Sequence, residues 1–260
     1  MIRSYVKMAE IITFINEKGG VGKTSGCFNS AWELSKRNKK ILMIDMDGQK
    51  ANLTFFTGAD TRIPNMKTMA DVFKGETAAS DIIFNVRENL DLIPANSSMS
   101  NLGMEAKVLK FRKSIAEVAD AYDYIFIDVN PAPGWSHYLS LSVSDYAIVV
   151  MLPDIASLEG NRGILETIEE IRGTNNPNLK IMGFLFNKNN SRTVLAKQVT
   201  EAAEDMAAAA GTTLFETKIR NAVVLSENVI THTGVTDYAP SSSAAEDFSA
   251  LADEIERRGV

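Results

Sequence analysis

The residues with the clearest chemical potential form a glycine-rich segment near the start of the chain. In order, it contains Glu17, Lys18, Gly19, Gly20, Val21, Gly22, Lys23, Thr24 and Ser25. Glycines let backbone N–H groups approach an anion closely, and a following helix directs its positive end at the same point. We predict that Lys23 lies against β- and γ-phosphate oxygens and that Thr24 binds Mg²⁺, with Ser25 extending the hydroxyl pair. The segment departs from the usual phosphate loop because Glu17 stands at the position of its first glycine.

Aspartates at the ends of two apolar runs are the candidates for binding metal and water. Asp45 and Asp47 follow the run that begins at Ile41, and Asp128 follows another run that begins at Tyr124. Parallel strands present their carboxyl ends at one edge of a sheet, so these acids are expected near the glycine-rich segment. We predict that Asp45 and Asp128 hold Mg²⁺ through water and that Asp47 orients the attacking water. The alternative for the first pair is an Asx turn that closes the strand.

Apolar runs bounded by turn residues alternate with stretches of helical period. The runs are Ile11–Ile15, Ile41–Ile44, Leu90–Ile93, Tyr124–Ile127, Tyr146–Met151 and Ile181–Phe186, with a weaker run at Thr213–Phe215. The helical stretches lie near Thr24–Arg37, Met104–Ala121, Leu158–Ile171, Val194–Ala210 and Ala244–Arg257. This alternation predicts an α/β fold, a doubly wound and mostly parallel sheet with helices on both faces.

Length and composition limit the classes of protein that fit. At 260 residues and 45% hydrophobic content the chain can form one core, and we predict a single domain over residues 1–260 with residues 1–9 as an N-terminal extension. The formal net charge of -6 argues against a surface that coats nucleic acid, so any DNA contact requires a local patch. The single cysteine, Cys27, excludes a disulfide framework or Cys-rich metal site and fits a reducing cytoplasm. No apolar run reaches the length of about 18 residues that a membrane-spanning helix needs.

The glycine-rich segment resembles the phosphate loop of the deviant Walker-A ATPases, the P-loop group that contains ParA and MinD. The extra Lys18 carries the resemblance, and Asn16 matches the residue that usually precedes the loop. Further matches to ParA extend over nearly the whole chain, in the same order and spacing. They are Pro153 with Leu158, Glu159 and Gly160, then Leu225–Glu227, Tyr238, Pro240 and Ala245–Asp247.

Two mobile switch segments of that family also have counterparts here, each with one departure. Asp45–Thr54 is similar to the first switch, with Gly48 in place of the usual proline, which predicts a more mobile loop. Val129–Gly134 is similar to the second switch, although Asn130 stands where a proline is usual.

The resemblance implies an ATPase of the ParA partition type that uses ATP and Mg²⁺. It implies that residues 18–25 bind the phosphates, that Asn187 bonds the adenine edge, and that Lys18, Lys23 and Asp47 are catalytic. Lys18 would reach across an ATP-dependent homodimer to the partner's phosphates. Asn187 and Lys188 begin a segment like the guanine reader of GTPases, but its acid is missing, which favours ATP.

The resemblance also implies partners and a location. It implies a ParB-type centromere-binding partner that stimulates hydrolysis, non-specific DNA binding in the ATP state, and a cytoplasmic, nucleoid-associated protein without a membrane contact. Arg192 matches a family arginine that contacts DNA phosphates. At the second such stretch Asn221 and Val224 replace basic residues, which leaves Lys218 and Arg220 as substitutes.

Several other interpretations stay open. One is a MinD-like or cargo-positioning ATPase, although the C-terminal segment is acidic and poor in bulky apolar residues, unlike a membrane-targeting helix. Another is a non-hydrolysing DNA-binding or scaffold protein with a vestigial phosphate loop. A nitrogenase-type reductase is disfavoured because it needs paired cysteines. His137 and His232 lack companions at metal-ligand spacing and are interpreted as structural or surface residues.

Overall fold

The structure is a computed structural model that describes residues 9–60, 66–101, 108–189 and 194–259. Within these residues seven strands form one sheet. The strands are β1 (Glu10–Ile15), β2 (Ile41–Met46), β3 (Phe84–Arg87), β4 (Leu90–Ile93), β5 (Tyr124–Val129), β6 (Tyr146–Met151) and β7 (Lys180–Phe186). Their order is β3-β4-β2-β5-β1-β6-β7, and only the β3–β4 pairing is antiparallel. The carboxyl ends of β1, β2 and β5 are therefore neighbours at one edge.

Ten α-helices connect or cover these strands in the described ranges. They are α1 (Lys23–Lys36), α2 (Asn52–Phe56), α3 (Met69–Lys74), α4 (Val108–Ala119), α5 (Trp135–Val143), α6 (Ile155–Thr174), α7 (Val194–Ala209), α8 (Val224–Glu227), α9 (Val235–Tyr238) and α10 (Ser243–Arg258). Short 3₁₀ turns occupy Ala79–Ile82 and Ser97–Asn101.

The helices form two layers because the central strands are buried on both faces. Along β5, Phe126 packs into the layer that contains Phe28 of α1 and Phe248 of α10. Ile125 and Ile127 point into the opposite layer, which includes buried residues of α4, α5, α6 and α7. Alternate side chains of a strand point to opposite faces, so a run with apolar residues at every position must be covered twice.

The α/β prediction is confirmed, and each of the six apolar runs is a strand. The weaker run Thr213–Phe215 contains only an isolated bridge from Leu214 to Phe184 and is not a strand. Strand β3 was not predicted because its four residues form a short, half-exposed edge. Helix α5 was also missed, because its serines obscure the apolar period. The predicted start of α4 at Met104 lies outside the described residues.

None of the helices in the described ranges is both long and apolar enough to cross a membrane.

Candidate functional site

A cleft of about 310 Å³ opens where the carboxyl ends of the central strands meet the start of α1. Glycines, lysines and hydroxyl groups of the glycine-rich segment form one side, and residues after β2, β5 and β7 form the others. The lining includes Gly19, Gly20, Gly22, Lys23, Thr24, Ser25, Asp47, Lys50, Pro131, Asn187 and Lys188. The sequence-predicted phosphate loop and the predicted base-contacting Asn187 therefore share one cavity.

The loop between β1 and α1 requires glycine at two positions. Gly20 and Gly22 have φ values of 75° and 98°, a region that side-chain-bearing residues rarely adopt. A Cβ on Gly22 would also lie 1.7 Å from Nδ2 of Asn187. Helix α1 begins directly after Gly22 with no side-chain cap. Its first N–H groups therefore remain available for an anion, as in a phosphate-binding helix terminus.

The end of β7 holds this loop in place. The Nδ2 group of Asn187 donates a 2.7 Å hydrogen bond to the carbonyl of Val21, and Lys188 Nζ donates a 3.0 Å bond to the carbonyl of Gly20. Asn187 is predicted from the sequence to contact adenine, but its amide nitrogen is committed to the loop. The structure thus gives Asn187 a positioning role that sequence reasoning missed, and the adjacent Asn-Lys pair was the available signal.

Lys23 is almost completely buried at the floor of the cleft. Its Nζ donates to the carbonyl of Lys18 at 3.4 Å. Burial lowers the pKa of Lys23, and the carboxylates of Asp128 and Asp47 act in the opposite direction. No carboxylate of the described residues forms an ion pair with this buried ammonium, so an anion can stabilise it.

Thr24 and Asp128 meet at 2.7 Å, where the threonine hydroxyl donates to Asp128 Oδ2. The other oxygen of this fully buried carboxylate, Oδ1, has no hydrogen-bond partner among the described residues. Burial and the nearby Asp45 raise the pKa of Asp128 well above its usual value, while Thr24 and Lys23 oppose that shift. Such a carboxylate favours a neighbouring cation, so the pair fits Mg²⁺ bound by a hydroxyl and, through water, by an acid.

Asp45, predicted to hold Mg²⁺ through water, is not among the residues that line the cleft. It is fully buried opposite Asp128 in the β2–β5 register. Its Oδ1 accepts from the N–H of Asp47 at 2.9 Å, and its Oδ2 accepts from the N–H and hydroxyl of Thr54, each at 2.8 Å. Burial raises the pKa of Asp45 to about 6. Both oxygens thus hold the segment after β2, and the role of Asp45 in binding Mg²⁺ through water stays a prediction.

Asp47 lies above Asp45 and lines the cleft. Its Oδ1 accepts from the N–H groups of Gln49 and Lys50 at 2.9 and 3.1 Å. This is the Asx turn that the sequence left as an alternative, and it coexists with a position in the cavity. The described residues contain no cluster of three His, Cys, Asp or Glu side chains able to hold a metal. A cation here would accordingly rely on hydroxyl, water and phosphate oxygens.

The additional lysine is held by the first turn of α6. Lys18 Nζ lies 3.3 Å from both carboxylate oxygens of Asp154 and 3.3 Å from the hydroxyl of Ser157. Asp154 also caps α6 by accepting from the N–H of Ser157 at 2.7 Å. Both charged side chains are more than a third exposed, so the pair contributes little to stability. Asp154 was not predicted as a site residue, although it follows the matched Pro153.

Asn16 fixes the backbone ahead of that lysine. Its Oδ1 accepts from the N–H of Lys18, and its Nδ2 donates to the carbonyl of Val150 and to Asn161, all at 2.7 Å. A buried amide with its groups satisfied in this way holds a rigid geometry. Asn161 on α6 had no sequence signal, because its role depends on how α6 packs against β6.

The segment after β5 is fastened by Ser136 and by His137, which sequence analysis interpreted as a structural or surface residue. The hydroxyl of Ser136 donates to Asn130 Oδ1 at 2.8 Å, and His137 Nε2 donates to the Asn130 carbonyl at 2.7 Å. Burial lowers the pKa of His137, in keeping with a neutral ring. The unusual Asn130 thus uses its side chain to join this segment to α5.

The residues predicted to contact DNA do not form a free basic patch in the described part of the chain. Arg220 donates to both oxygens of Asp247, at 2.7 to 3.0 Å, and to Glu246 at 3.1 Å. Lys218 Nζ lies 5.5 Å from the centre of the Phe186 ring. Arg192 lies outside the described residues. A phosphate contact by Arg220 would have to compete with two carboxylates.

Comparison with known proteins agrees with the geometry of the cleft. The AAA domain family matches residues 9–181. Sporulation initiation inhibitor protein Soj of Bacillus subtilis is 30% identical over 258 residues, which cover 97% of this chain and all of that protein. Chromosome-partitioning ATPase Soj of Treponema pallidum is 29% identical over 257 residues, covering 96% and 98%. The cell division ATPase MinD of Pyrococcus furiosus superposes with a TM-score of 0.80 at 26% identity, covering 97% of this chain and 100% of that one.

Proposed function

The chain belongs to the AAA domain family, among the ParA/MinD-type P-loop ATPases that partition or position cargo, and from this premise we propose that it segregates DNA. In this proposal, ATP binding produces a dimer that binds DNA non-specifically, and a ParB-type partner releases it by stimulating hydrolysis. The observation that carries the proposal is the cleft itself. Lys23, Thr24 and Asp128 converge there, and Lys18 lies beside it.

Residues 18–25 supply the phosphate site in this proposal. The uncapped N–H groups of α1 and the buried ammonium of Lys23 would bind the β- and γ-phosphate oxygens. Thr24 and Asp128 would hold Mg²⁺, which neutralises phosphate charge when bound. Asp45 would contribute only through water, because the loop after β2 already uses both of its oxygens as acceptors.

Asp47 is the group proposed to orient the attacking water. It lines the cleft, and the turn through Gln49 and Lys50 fixes its carboxylate. A carboxylate held in this way can accept a proton from water and direct its lone pair toward the terminal phosphate. Slow basal turnover is expected until a partner orders the switch segments.

The base is proposed to lie against the apolar part of the cleft lining. Phe56 and Leu225 supply apolar side chains to the lining, which also contains Asn187. Because the Asn187 nitrogen is bound to Val21, its carbonyl oxygen would accept from the adenine amino group. A guanine presents an acceptor at that place, so the site would prefer ATP.

ATP turnover tests the proposal directly. We expect slow, Mg²⁺-dependent hydrolysis by the wild type and none by Lys23→Ala, while Lys113→Ala, an exposed lysine on α4, serves as the control. If the wild type bound ATP without hydrolysing it, the vestigial-loop alternative would replace the proposal. Activity retained by Lys23→Ala would show that the cleft is not the site.

DNA binding requires its own experiment, because the ion pairs of Arg220 favour the second candidate, a positioning ATPase that does not bind DNA. Fluorescent random duplex DNA is titrated at low salt with ATP and with ADP. DNA segregation predicts binding with ATP only, a steep loss with added salt, and weakening by Arg192→Ala or Lys218→Ala. Equal binding in both nucleotides, or none, would favour the second candidate.

A further inference from the structure

An open groove of about 900 Å³ runs between α6 and α7 and shares no lining residue with the nucleotide cleft. Leu158 and Leu165 of α6 and Met206 of α7 line it, and all three side chains are only partly covered by the core beneath. A groove between two packed helices can accommodate a third helix. Methionine side chains in its lining adapt to the shape of an occupant. The groove therefore offers apolar contact area that the described residues leave unfilled.

The rim of the groove is acidic. Glu159, Glu166 and Glu169 project from α6, and Asp205 projects from α7, while Arg162 is the only basic residue of the lining within the described ranges. Helices α6 and α7 together carry seven acidic and three basic residues. Among the described residues Glu169 pairs with Arg172 at 2.5 Å, whereas no ion pair forms to Glu159, Glu166 or Asp205. The surface thus combines an apolar floor with unneutralised negative charge.

This combination selects among occupants. Phosphate-bearing ligands such as nucleic acid would be repelled by the rim. A second copy of the chain that presents the same groove would bring like charges together. An amphipathic helix with apolar residues at i, i+3, i+4 and i+7 and flanking Lys or Arg would satisfy both features, since its apolar stripe covers the floor and its cations meet the carboxylates.

We propose that the α6–α7 groove is the docking site for a basic amphipathic helix of a partner protein. The proposal rests on the proposed function, which requires a partner, and adds where that partner binds and what chemistry it presents. The groove shares no residue with the nucleotide cleft, so docking and nucleotide binding are separable.

The test uses the full chain with ADP, so that its result does not depend on hydrolysis. A displayed library of amphipathic helices of about 18 residues, with Lys, Glu or Ser on the polar face, is selected on the wild type. We expect enrichment of the lysine-bearing helices. Enrichment of acidic or neutral helices, or no enrichment, would overturn the proposal.

Selected helices are then synthesised and titrated against variants by fluorescence anisotropy. Glu166→Lys combined with Asp205→Lys should weaken binding about tenfold or more, because both changes place repulsive charge on the rim. Glu88→Lys combined with Glu117→Lys makes the same change in net charge at exposed sites outside the groove and should bind as the wild type does. Equal weakening in both double variants would assign the effect to net charge and overturn the site.

A parallel ATP turnover assay separates this proposal from the proposed function. The rim variant should keep the basal rate, because neither substituted residue lines the cleft. If the rim variant loses helix binding but keeps its turnover, the result supports the groove as the docking site and leaves the proposed function untouched. If the wild type bound the helices specifically but did not hydrolyse ATP, the proposed function would be contradicted and the docking site would stand.

Discussion

Asp45 and Asp47 are two residues apart, yet the fold gives them different surroundings. Asp45 is sealed beneath the loop after β2, where it accepts three hydrogen bonds. Asp47 reaches the cleft and shapes a turn whose N–H donors, on Gln49 and Lys50, belong to exposed residues. Sequence spacing predicted that both would point to one site, because side chains two apart in a strand share a face. The rule does not apply beyond the end of the strand. The contact of Thr54 with Asp45 depends on how the loop after β2 folds back, which spacing does not predict.

The two aspartates are expected to respond differently to substitution. Asp45→Ala should lower the free energy of unfolding by roughly 3 kcal/mol, because it leaves buried N–H groups of Asp47 and Thr54 without acceptors. Asp47→Ala should cost about 1 kcal/mol or less, because water can reach the freed donors. It should keep ATP binding and lose hydrolysis. Urea unfolding and ATP titration of the purified variants measure these effects, and wild-type turnover by Asp47→Ala would refute the role assigned to it.

Cys27 illustrates how burial removes chemistry that a residue type suggests. It is a free, fully buried cysteine on α1, and burial raises the pKa of its thiol well above the usual value. Since the thiolate is the reactive form, we expect negligible alkylation by iodoacetamide in the folded protein at neutral pH and rapid alkylation in urea. Mass spectrometry detects the adduct. Fast labelling of the folded chain would show that α1 opens readily.

At the scale of elements, predictions succeeded where a pattern depends on the element alone. Buried central strands are apolar at every position, so the sequence identified six of them. Strand β3 depends on its antiparallel partner β4, and the bridge at Leu214 forms through Phe184 without extending into a strand. The phosphate loop was predictable because its glycines are local requirements. Its restraint by Asn187 was not, because that contact joins residues 166 positions apart.

This restraint makes a prediction for the loop. Gly22→Ala forces a φ of 98° on a residue with a side chain and places its Cβ within 1.7 Å of Asn187. We expect the free energy of unfolding to fall by at least about 2 kcal/mol, from backbone strain and the clash together.

Gly19→Ala is the matched control in the same loop. Its Cβ would lie 3.9 Å from Pro131, an ordinary contact, and stability should change by no more than about 0.5 kcal/mol. Thermal and urea unfolding without nucleotide compare the two variants. Equal stability of both would contradict the proposed role of Asn187 as a restraint on the loop.

At the scale of the whole molecule, charge distribution carries information that net charge does not. The sequence has a formal charge of -6, which predicted that a DNA contact must be local. The structure shows that Arg220 is already neutralised by Asp247 and Glu246, and that Glu159, Glu166 and Asp205 of the α6–α7 groove form no ion pair within the part of the chain that it describes. Neither feature could be predicted from composition, because each depends on which helices pack together. The same limit applies to Lys18, whose partner Asp154 is 136 residues away.

The contact between Lys18 and Asp154 bears on assembly. For Lys18 to reach a partner's phosphates, its ammonium must leave the carboxylate, 3.3 Å away, that caps α6 of its own chain. Because both side chains are more than a third exposed, leaving the pair costs about 1 kcal/mol or less, which triphosphate charge can offset. We therefore expect a monomer without nucleotide and with ADP, and a dimer with ATP when hydrolysis is blocked by Asp47→Ala. Adding Lys18→Ala should abolish that dimer. Adding Lys113→Ala, which removes an exposed lysine from α4, should leave the dimer intact.

Sedimentation velocity distinguishes monomer from dimer. A monomer under every nucleotide condition, or a dimer that survives Lys18→Ala, would show that Lys18 does not act between subunits.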